Sequence, residues 1–282
     1  MQTGAPRPER TDPARMSDPR SASPRVEDPS ADLADWALFL DFDGTLVEIA
    51  DRPDAVIVPA DLRRTLTDLR GRLGGAMAIV TGRSIAVIDD FLAPDRFDVA
   101  GLHGGEHRLA GRLFPCRPDE HPDLRRAVGE LQRRFAGAPG ILIEDKGCSV
   151  AVHWRLAPEG AELAAETMRT VAATLGAGYR LQLGKAVAEV LPSRASKGGI
   201  IRHLLTQGAY RDRRPIFVGD DLTDEQAFAA VDDLEGISIR VGSGPTRARY
   251  RIGAPSALRE LLGRWARLPR IDFTGLAEAN SG

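Results

Sequence analysis

The stretch that most constrains this chain lies at residues 36–45. Five consecutive apolar residues, Trp36-Ala-Leu-Phe-Leu40, run directly into Asp41-Phe-Asp43-Gly44-Thr45. An unbroken apolar run of that length reads as a strand buried on both faces, as in a parallel sheet covered by helices. Two carboxylates two apart follow it, before a glycine turn. They put charge beyond the carboxyl end of a strand, where open α/β sheets bind ligands. A lone Asp-Gly would read as a turn or a helix cap. Here three more polar clusters complete the pattern.

Ala76-Met-Ala-Ile-Val80 is a second buried run and ends at Thr81-Gly-Arg83. Phe97 to Ala100 is a third and precedes Leu102-His103-Gly-Gly-Glu106. Pro215-Ile-Phe-Val218 leads into Gly219-Asp220-Asp221-Leu-Thr-Asp224-Glu225, and Ile237 to Val241 is a weaker last strand. Helical stripes separate these runs, among them Leu62, Leu66 and Leu69. The alternation predicts an α/β fold with a doubly wound parallel sheet.

The middle of the chain has another rhythm. A helix stripe (Leu124, Val128, Leu131, Phe135) precedes two runs joined by Asp145-Lys146-Gly147. In the second run Val150, Val152 and Trp154 alternate with Ser149, Ala151, His153 and Arg155, so one face is apolar and the other polar. A helix from Pro158 to about Leu175 and strands at Tyr179–Leu183 and Ala186–Leu191 follow. The order α-β-β-α-β-β predicts an antiparallel sheet inserted at 109–191 into a core made of 33–108 and 192–270. Residues 271–282 are left as a C-terminal tail. Residues 1–32 hold six prolines, five arginines and six acidic residues, and almost nothing large and apolar. They are expected to be disordered and carry no apolar segment of the kind that starts a secretory signal.

Charge narrows the partners. Thirty-eight basic residues face 40 acidic ones, a net charge of −2, so no global field draws nucleic acid or anionic membrane. The longest uncharged runs are ten residues, too short to span a bilayer. Only three cations are lysines: Lys146, Lys185 and Lys197. In a chain that writes nearly every cation as Arg, these sites call for a compact ammonium. Cys116 and Cys148 lie 32 positions apart, which excludes a disulfide-rich scaffold and any Cys-x-x-Cys site. Both read as small hydrophobes in a reducing, cytoplasmic compartment.

The clusters at the strand ends suit phosphate-monoester cleavage. That reaction needs a nucleophile, an acid for the leaving alcohol and cations to offset charge. A carboxylate meeting a phosphate dianion at about 4 Å, with an effective ε of about 20, is repelled by roughly 8 kcal/mol. A nucleophilic Asp therefore needs bound cations. Asp41 and Asp220 supply hard oxygen ligands for Mg²⁺, Lys197 a fixed positive charge, and Thr81 with nearby backbone N–H groups a seat for phosphate oxygens.

Asp41-x-Asp43-Gly-Thr, Thr81-Gly-Arg83, Ser196-Lys197-Gly198 and Gly219-Asp220-Asp221-x-Thr-Asp224-Glu225, in this order, resemble the four motifs of the haloacid dehalogenase-like phosphatases over about 230 residues. The resemblance implies Asp41 as the nucleophile that forms an aspartyl-phosphate, and Asp43 as general acid and then base. It implies Mg²⁺ on Asp41, the Asp43 carbonyl and Asp220, with Asp224 orienting Lys197 or a metal-bound water. Asp221 fits either a supporting role at the metal or a solvated acid at a helix start.

Within the insert, Glu144-Asp-Lys146-Gly-x-Ser149-x-Ala-Val-His153-x-Arg155 and Gly184-Lys185-x-Val-x-Glu189-Val-x-Pro192 resemble the cap of trehalose-6-phosphate phosphatases. That family implies Glu144, Lys146, His153 and Glu189 on the glucose rings, with Arg83, His103 and Lys185 also among the candidate substrate contacts. His153 stands where the pattern carries an amide as often as an imidazole. The Leu102–Glu106 segment reads equally as a glycine hinge into the insert. The implied substrate is trehalose 6-phosphate, the pathway trehalose biosynthesis, and a trehalose-phosphate synthase a candidate partner. Two other readings stand beside it: a phosphatase for sucrose 6-phosphate or a glycosyl-phosphoglycerate, and a regulatory homologue without activity. The last should have lost Asp41, Asp43, Lys197 or Asp220, and all four are present.

Overall fold

The computed structural model describes residues 32–92 and 97–279. The expected N-terminal tail, apart from Asp32, lies outside the described residues. The first half of the core runs β1 (Trp36–Leu40), α1 (Leu62–Arg72), β2 (Met77–Val80), α2 (Ile85–Phe91), β3 (Asp98–Gly101), β4 (Glu106–Leu109) and β5 (Arg112–Phe114). The insert follows with α3 (Pro122–Arg134), β6 (Leu142–Asp145), β7 (Val150–His153), α4 (Ala161–Leu175), β8 (Tyr179–Gly184) and β9 (Val187–Pro192). The chain then returns through α5 (Lys197–Leu204), β10 (Arg214–Gly219), α6 (Glu225–Asp232), β11 (Ile237–Val241), β12 (Tyr250–Ile252), α7 (Pro255–Trp265) and β13 (Ala277–Glu278).

Nine strands form one sheet in the order β13-β12-β11-β10-β1-β2-β3-β4-β5. From β12 to β3 all pairs are parallel, and the edges β13, β4 and β5 are antiparallel. β1 sits in the middle with all five residues buried, as its unbroken apolar sequence requires. Phe39, Val80 and Phe217 pack under Ile201, Leu204, Phe228 and Val231 of α5 and α6. Because side chains alternate along a strand, Leu38 and Leu40 serve the opposite face. β10 and β2 flank β1, so the carboxyl ends of three strands from distant parts of the chain meet at one point.

β6-β7-β9-β8 form the second, fully antiparallel sheet. Its inner face carries Val150, Val152, Ala188 and Val190, packed on Leu124, Val128 and Leu131 of α3 and Ala164 and Met168 of α4. Period-two alternation turns the neighbouring residues outward. Register aligns Glu144, Ala151, Glu189 and Gln182 in one row across that outer face. No helix among the described residues is long and apolar enough to cross a membrane.

Three expectations need correction. Residues 109–114, assigned to the insert, belong to the large sheet: β4 and β5 form a hairpin on β3. Its two-residue turn, Ala110-Gly111, has positive φ at both positions (49° and 80°). A turn with both residues left-handed is usually written Asn-Gly or Asp-Gly, so the signal is weak here. Residues 271–279 are not a free tail. Phe273 meets Trp36 and Trp265 edge-on, the Trp265 indole N–H donates to the Asp272 carbonyl, and β13 pairs with β12.

The third correction concerns the cysteines: Cys116 and Cys148 form a disulfide. Sequence separation hides their proximity. α3 and β6 carry the chain away and back, so the β6–β7 turn returns against the segment leaving β5. Gly147 in that turn (φ +82°) lies so close that a Cβ there would sit 3.1 Å from Pro118 and 3.6 Å from the Cys116 sulfur.

Candidate active site

Asp41 leaves the end of β1 with its N–H donating to the Val218 carbonyl of β10. Gly44 (φ +75°) turns the chain next to Asp220; a Cβ there would lie 2.3 Å from the Asp220 carboxylate. The Asp-x-Asp-Gly string thus needs its glycine for close approach as well as for φ. Thr45 donates its hydroxyl to Asp220 Oδ1 at 3.3 Å. Lys197 opens α5 directly after Ser196, whose Oγ caps the helix by accepting from the Gly199 N–H.

Lys197 is 2% exposed and bridges two carboxylates. Its Nζ lies 2.7 Å from Asp41 Oδ1 and 2.6 Å from Asp224 Oδ1. Asp224 is fully committed, because its Oδ2 also accepts from the N–H groups of Asp220 and Asp221 at 2.9 Å each. Burial pushes the Asp41 carboxyl well above the usual carboxylate range; Lys197 opposes that, while Asp224 and Asp220 reinforce it. Burial and Asp224 likewise raise Asp220 to about 6. For Lys197, burial disfavours the charge, but Asp224 and Asp41 outweigh it and raise its pKa.

This arrangement is short of positive charge. Asp41, Asp220 and Asp224 bring ligand oxygens within 4.8 Å of one another, all buried, around a single interior ammonium. With Asp224 held by Lys197 and two backbone donors, Asp41 and Asp220 remain to hold a hard dication, and the oxygen-only donor set fits Mg²⁺. Lys185 reaches from the β8–β9 turn to Asp220 Oδ2 at 3.2 Å, but it is 56% exposed.

Asp43 points elsewhere. Arg83 grips both its oxygens, Nε to Oδ2 at 2.6 Å and a second nitrogen to Oδ1 at 2.7 Å. The guanidinium also donates to the Pro53 carbonyl and lies 5.3 Å from the centre of the Phe91 ring. Thr81, buried, takes the Arg83 N–H on its hydroxyl. Asp221 lines the same cleft as Asp41 and Asp43.

The outer face of the small sheet closes the cleft from above. Lys146 donates to the Gly82 carbonyl at 3.0 Å and to Glu189 Oε2 at 3.1 Å, with Glu144 at 3.8 Å. Burial works against ionising Glu189, yet Lys146 and His103 dominate and hold its carboxyl far below the usual range. The same balance, burial against two carboxylates, leaves Lys146 raised. Ser149 donates to Glu189 Oε1 at 2.6 Å, and His153 meets Glu144 at 2.9 Å. Glu144 is lowered: burial opposes this, but His153 and Lys146 prevail.

His103 belongs to the core and touches the insert. Leu102 and His103 both take left-handed φ (52° and 56°), and the His103 N–H donates to the Thr81 carbonyl. Nε2 then lies 3.3 Å from Glu189 and 3.2 Å from Gln182. Gly82 makes room for the ring, since a Cβ there would come within 2.6 Å of Nε2. Burial lowers the His103 pKa, with Glu189 opposing.

All fourteen residues expected at the site line one cleft except Asp224, which lies behind Lys197. Four contributors carry no role in the sequence reading: Thr45, Ser149 and Arg155, which stand in its motif strings, and Gln182, which does not. Arg155 donates to the Ala50 carbonyl of the core and the Lys185 carbonyl of the insert. Gln182 was legible from the alternation Arg180-x-Gln182-x-Gly184 in β8, which aligns it with Glu189.

The family model for trehalose-phosphatase matches residues 39–258. A probable trehalose-phosphate phosphatase of Sinorhizobium fredii is 42% identical over 245 residues, covering 86% of this chain and 91% of its own. A trehalose-6-phosphate phosphatase of Escherichia coli K12 is 36% identical, covering 85% of this chain and 88% of its own. Among solved structures, that of a trehalose-6-phosphate phosphatase related protein is 29% identical, superimposes with a TM-score of 0.71, and covers 82% of this chain and 96% of that one.

Proposed function

The chain belongs to the trehalose-phosphatase family, and from that premise we propose that it is a Mg²⁺-dependent phosphatase that hydrolyses trehalose 6-phosphate to trehalose and phosphate through an aspartyl-phosphate on Asp41. One observation carries this reading. The carboxylate–lysine cluster of the core and the Glu144, Lys146 and Glu189 group of the insert line a single cleft. A phosphate on one side and a sugar rich in hydroxyls on the other match that division, because carboxylates accept from hydroxyls and an ammonium donates to them.

The Asp41 carboxylate attacks phosphorus while Lys197 holds its other charge interactions in place. Mg²⁺ on Asp41, the Asp43 carbonyl and Asp220 would offset the dianion and make that approach feasible. The Thr81 hydroxyl and local N–H groups take the equatorial oxygens. Asp43 gives its proton to the departing sugar oxygen and then removes one from the water that cleaves the acyl phosphate. Its bidentate contact with Arg83 orients the carboxyl; donating a proton requires exchanging one arm of that fork for the leaving oxygen. Contacts of Lys146, Lys185 and Arg155 with core atoms support a closed arrangement of the insert over the reacting centre, which excludes water from phosphorus.

The test is phosphate release from trehalose 6-phosphate, sucrose 6-phosphate, glucose 6-phosphate and a glycosyl-phosphoglycerate, with and without Mg²⁺. A clear preference for trehalose 6-phosphate in Mg²⁺ is expected. Equal rates across the panel would overturn the substrate assignment, and no release from any would overturn the activity.

A further inference from the structure

The Cys116–Cys148 bond joins two parts with different duties. Cys116 lies two residues beyond β5, on the strand of chain that leaves the core for the insert. Cys148 lies in the β6–β7 turn, two residues from Lys146. The turn closes on itself, with Lys146 N–H donating to the Ser149 carbonyl and Cys148 N–H to the Lys146 carbonyl. Outside the bond, Arg125 grips this turn from the insert body, through the Asp145 carboxylate and the Gly147 carbonyl. From this short loop Lys146 reaches Gly82 and Glu189, and Ser149 reaches Glu189.

Both sulfur-bearing residues also line a second cavity, of about 290 Å³, that shares no lining residue with the active-site cleft. Gly104, Gly105, Pro192 and Ala195, from the two crossings between core and insert, form part of its wall, and its charged lining is Arg117, Arg194 and Glu120. Cys116 is half-buried and Cys148 is 4% exposed, so a reductant entering here meets the Cys116 sulfur first. Arg117 is paired with Glu120, so Arg194 is the lining guanidinium that favours an approaching thiolate.

We propose that Cys116–Cys148 is a reversible redox modification site, opened by a dithiol through the cavity at the crossings, and that its opening frees the β6–β7 turn that carries Lys146. A thiolate of the dithiol attacks the Cys116 sulfur. The S–S bond breaks, and Cys148 departs as a thiolate and takes a proton. The second thiol of the reductant, as thiolate, attacks the mixed disulfide, forming the reductant's own disulfide and releasing Cys116, which is protonated in turn. Two electrons and two protons pass to the protein. Oxidised, the turn is stapled to the exit from the core and Lys146 is held against Gly82. Reduced, the turn has no covalent tie to that exit and is held by non-covalent contacts, those of Arg125 with Asp145 and Gly147 and those of Glu189 and Gly82 with the Lys146 ammonium. The consequence for sugar-phosphate turnover rests on the function proposed above; the site and the released turn do not.

The experiment poises the full chain in dithiothreitol/oxidised dithiothreitol buffers, alkylates it, and follows mass and hydrogen exchange of peptides spanning 142–150. Expected are two alkylated cysteines on reduction only, exchange in 142–150 faster by about tenfold, and core peptides unchanged. Cys116→Ser/Cys148→Ser should show the fast exchange in every buffer. Alkylation of both cysteines without reductant, or identical exchange in both states, overturns the proposal. In parallel, kcat/KM for trehalose 6-phosphate should fall roughly 10- to 100-fold on reduction, as for a misplaced binding group, with para-nitrophenyl phosphate unchanged. If trehalose 6-phosphate is not hydrolysed in either state, the proposed function fails while the exchange data still decide the redox site.

Discussion

Lys146 of the insert donates to the backbone carbonyl of Gly82 in the core, 3.0 Å away, in the same Thr81-Gly-Arg83 loop that would seat the phosphate. The ammonium simultaneously contacts Glu189. A single side chain therefore ties the polar row of the small sheet to the reacting end of the large one. The contact sets the sugar-facing row of the insert over the phosphate loop of the core.

Asp41→Asn should reduce turnover of any phosphate ester by at least about 10³-fold, because it removes the attacking charge. The fold should persist. Asp41 is buried beside Asp220 and Asp224, so losing its charge relieves repulsion in the metal-free protein. Phosphate release and thermal melting check both halves; activity near wild type would mean that another group attacks.

Asp43→Asn should slow hydrolysis of the sugar phosphate by roughly 10²–10⁴-fold, the usual contribution of a general acid. An aryl phosphate, whose phenolate departs without help, should lose far less. Equal losses on both substrates would remove Asp43 from the acid role and leave Arg83 holding a purely structural carboxylate.

Excess chelator should stop phosphate release and Mg²⁺ should restore it. Ca²⁺ should not substitute, since its higher coordination number and looser geometry fit the Asp41–Asp220 pair differently. Full activity in chelator would contradict the charge deficit described for this site.

Acid should loosen the contact between the two sheets. The folded Glu189 carboxyl lies below its unfolded value, so the native state binds fewer protons than the unfolded chain. The stabilisation is complete above the unfolded range near about 4.3, declines as pH falls below it, and is lost only once pH passes through the lower folded value. His103, also lowered on folding, acts in the same direction below about 6.5. Glu189→Gln should melt below wild type at pH 7, with the gap narrowing as pH drops under about 4.5. A gap independent of pH would remove the ionised carboxylate from the account.

Legibility in the sequence followed burial. β1, β2 and β10 are unbroken apolar runs because both faces are covered, and each ends in the polar residues that meet at the site, so fold class and core site could be read together. β7 was readable through its alternation. The β4–β5 hairpin was not, because a three-residue, fully exposed β5 and an Ala-Gly turn carry little pattern. β13 is two residues long and depends on β12 for its existence. The disulfide required knowing where α3 and β6 return the chain. Thr45, Ser149 and Arg155 are ordinary polar residues whose partners (Asp220, Glu189 and the Ala50 carbonyl) lie far away in sequence, and tertiary register brings each pair together.

The most direct test of the division of labour between core and insert is kcat/KM of Lys146→Ala on two substrates. Trehalose 6-phosphate spans both parts; para-nitrophenyl phosphate is too small to reach the row formed by Glu144, Glu189 and Gln182. Leaving buried carboxylates without their ammonium costs about 1–3 kcal/mol. The account predicts a loss of roughly 10- to 100-fold on trehalose 6-phosphate and almost none on para-nitrophenyl phosphate. Parallel losses on the two substrates would contradict it, showing that Lys146 supports the fold or the reacting centre rather than the recognition of sugar.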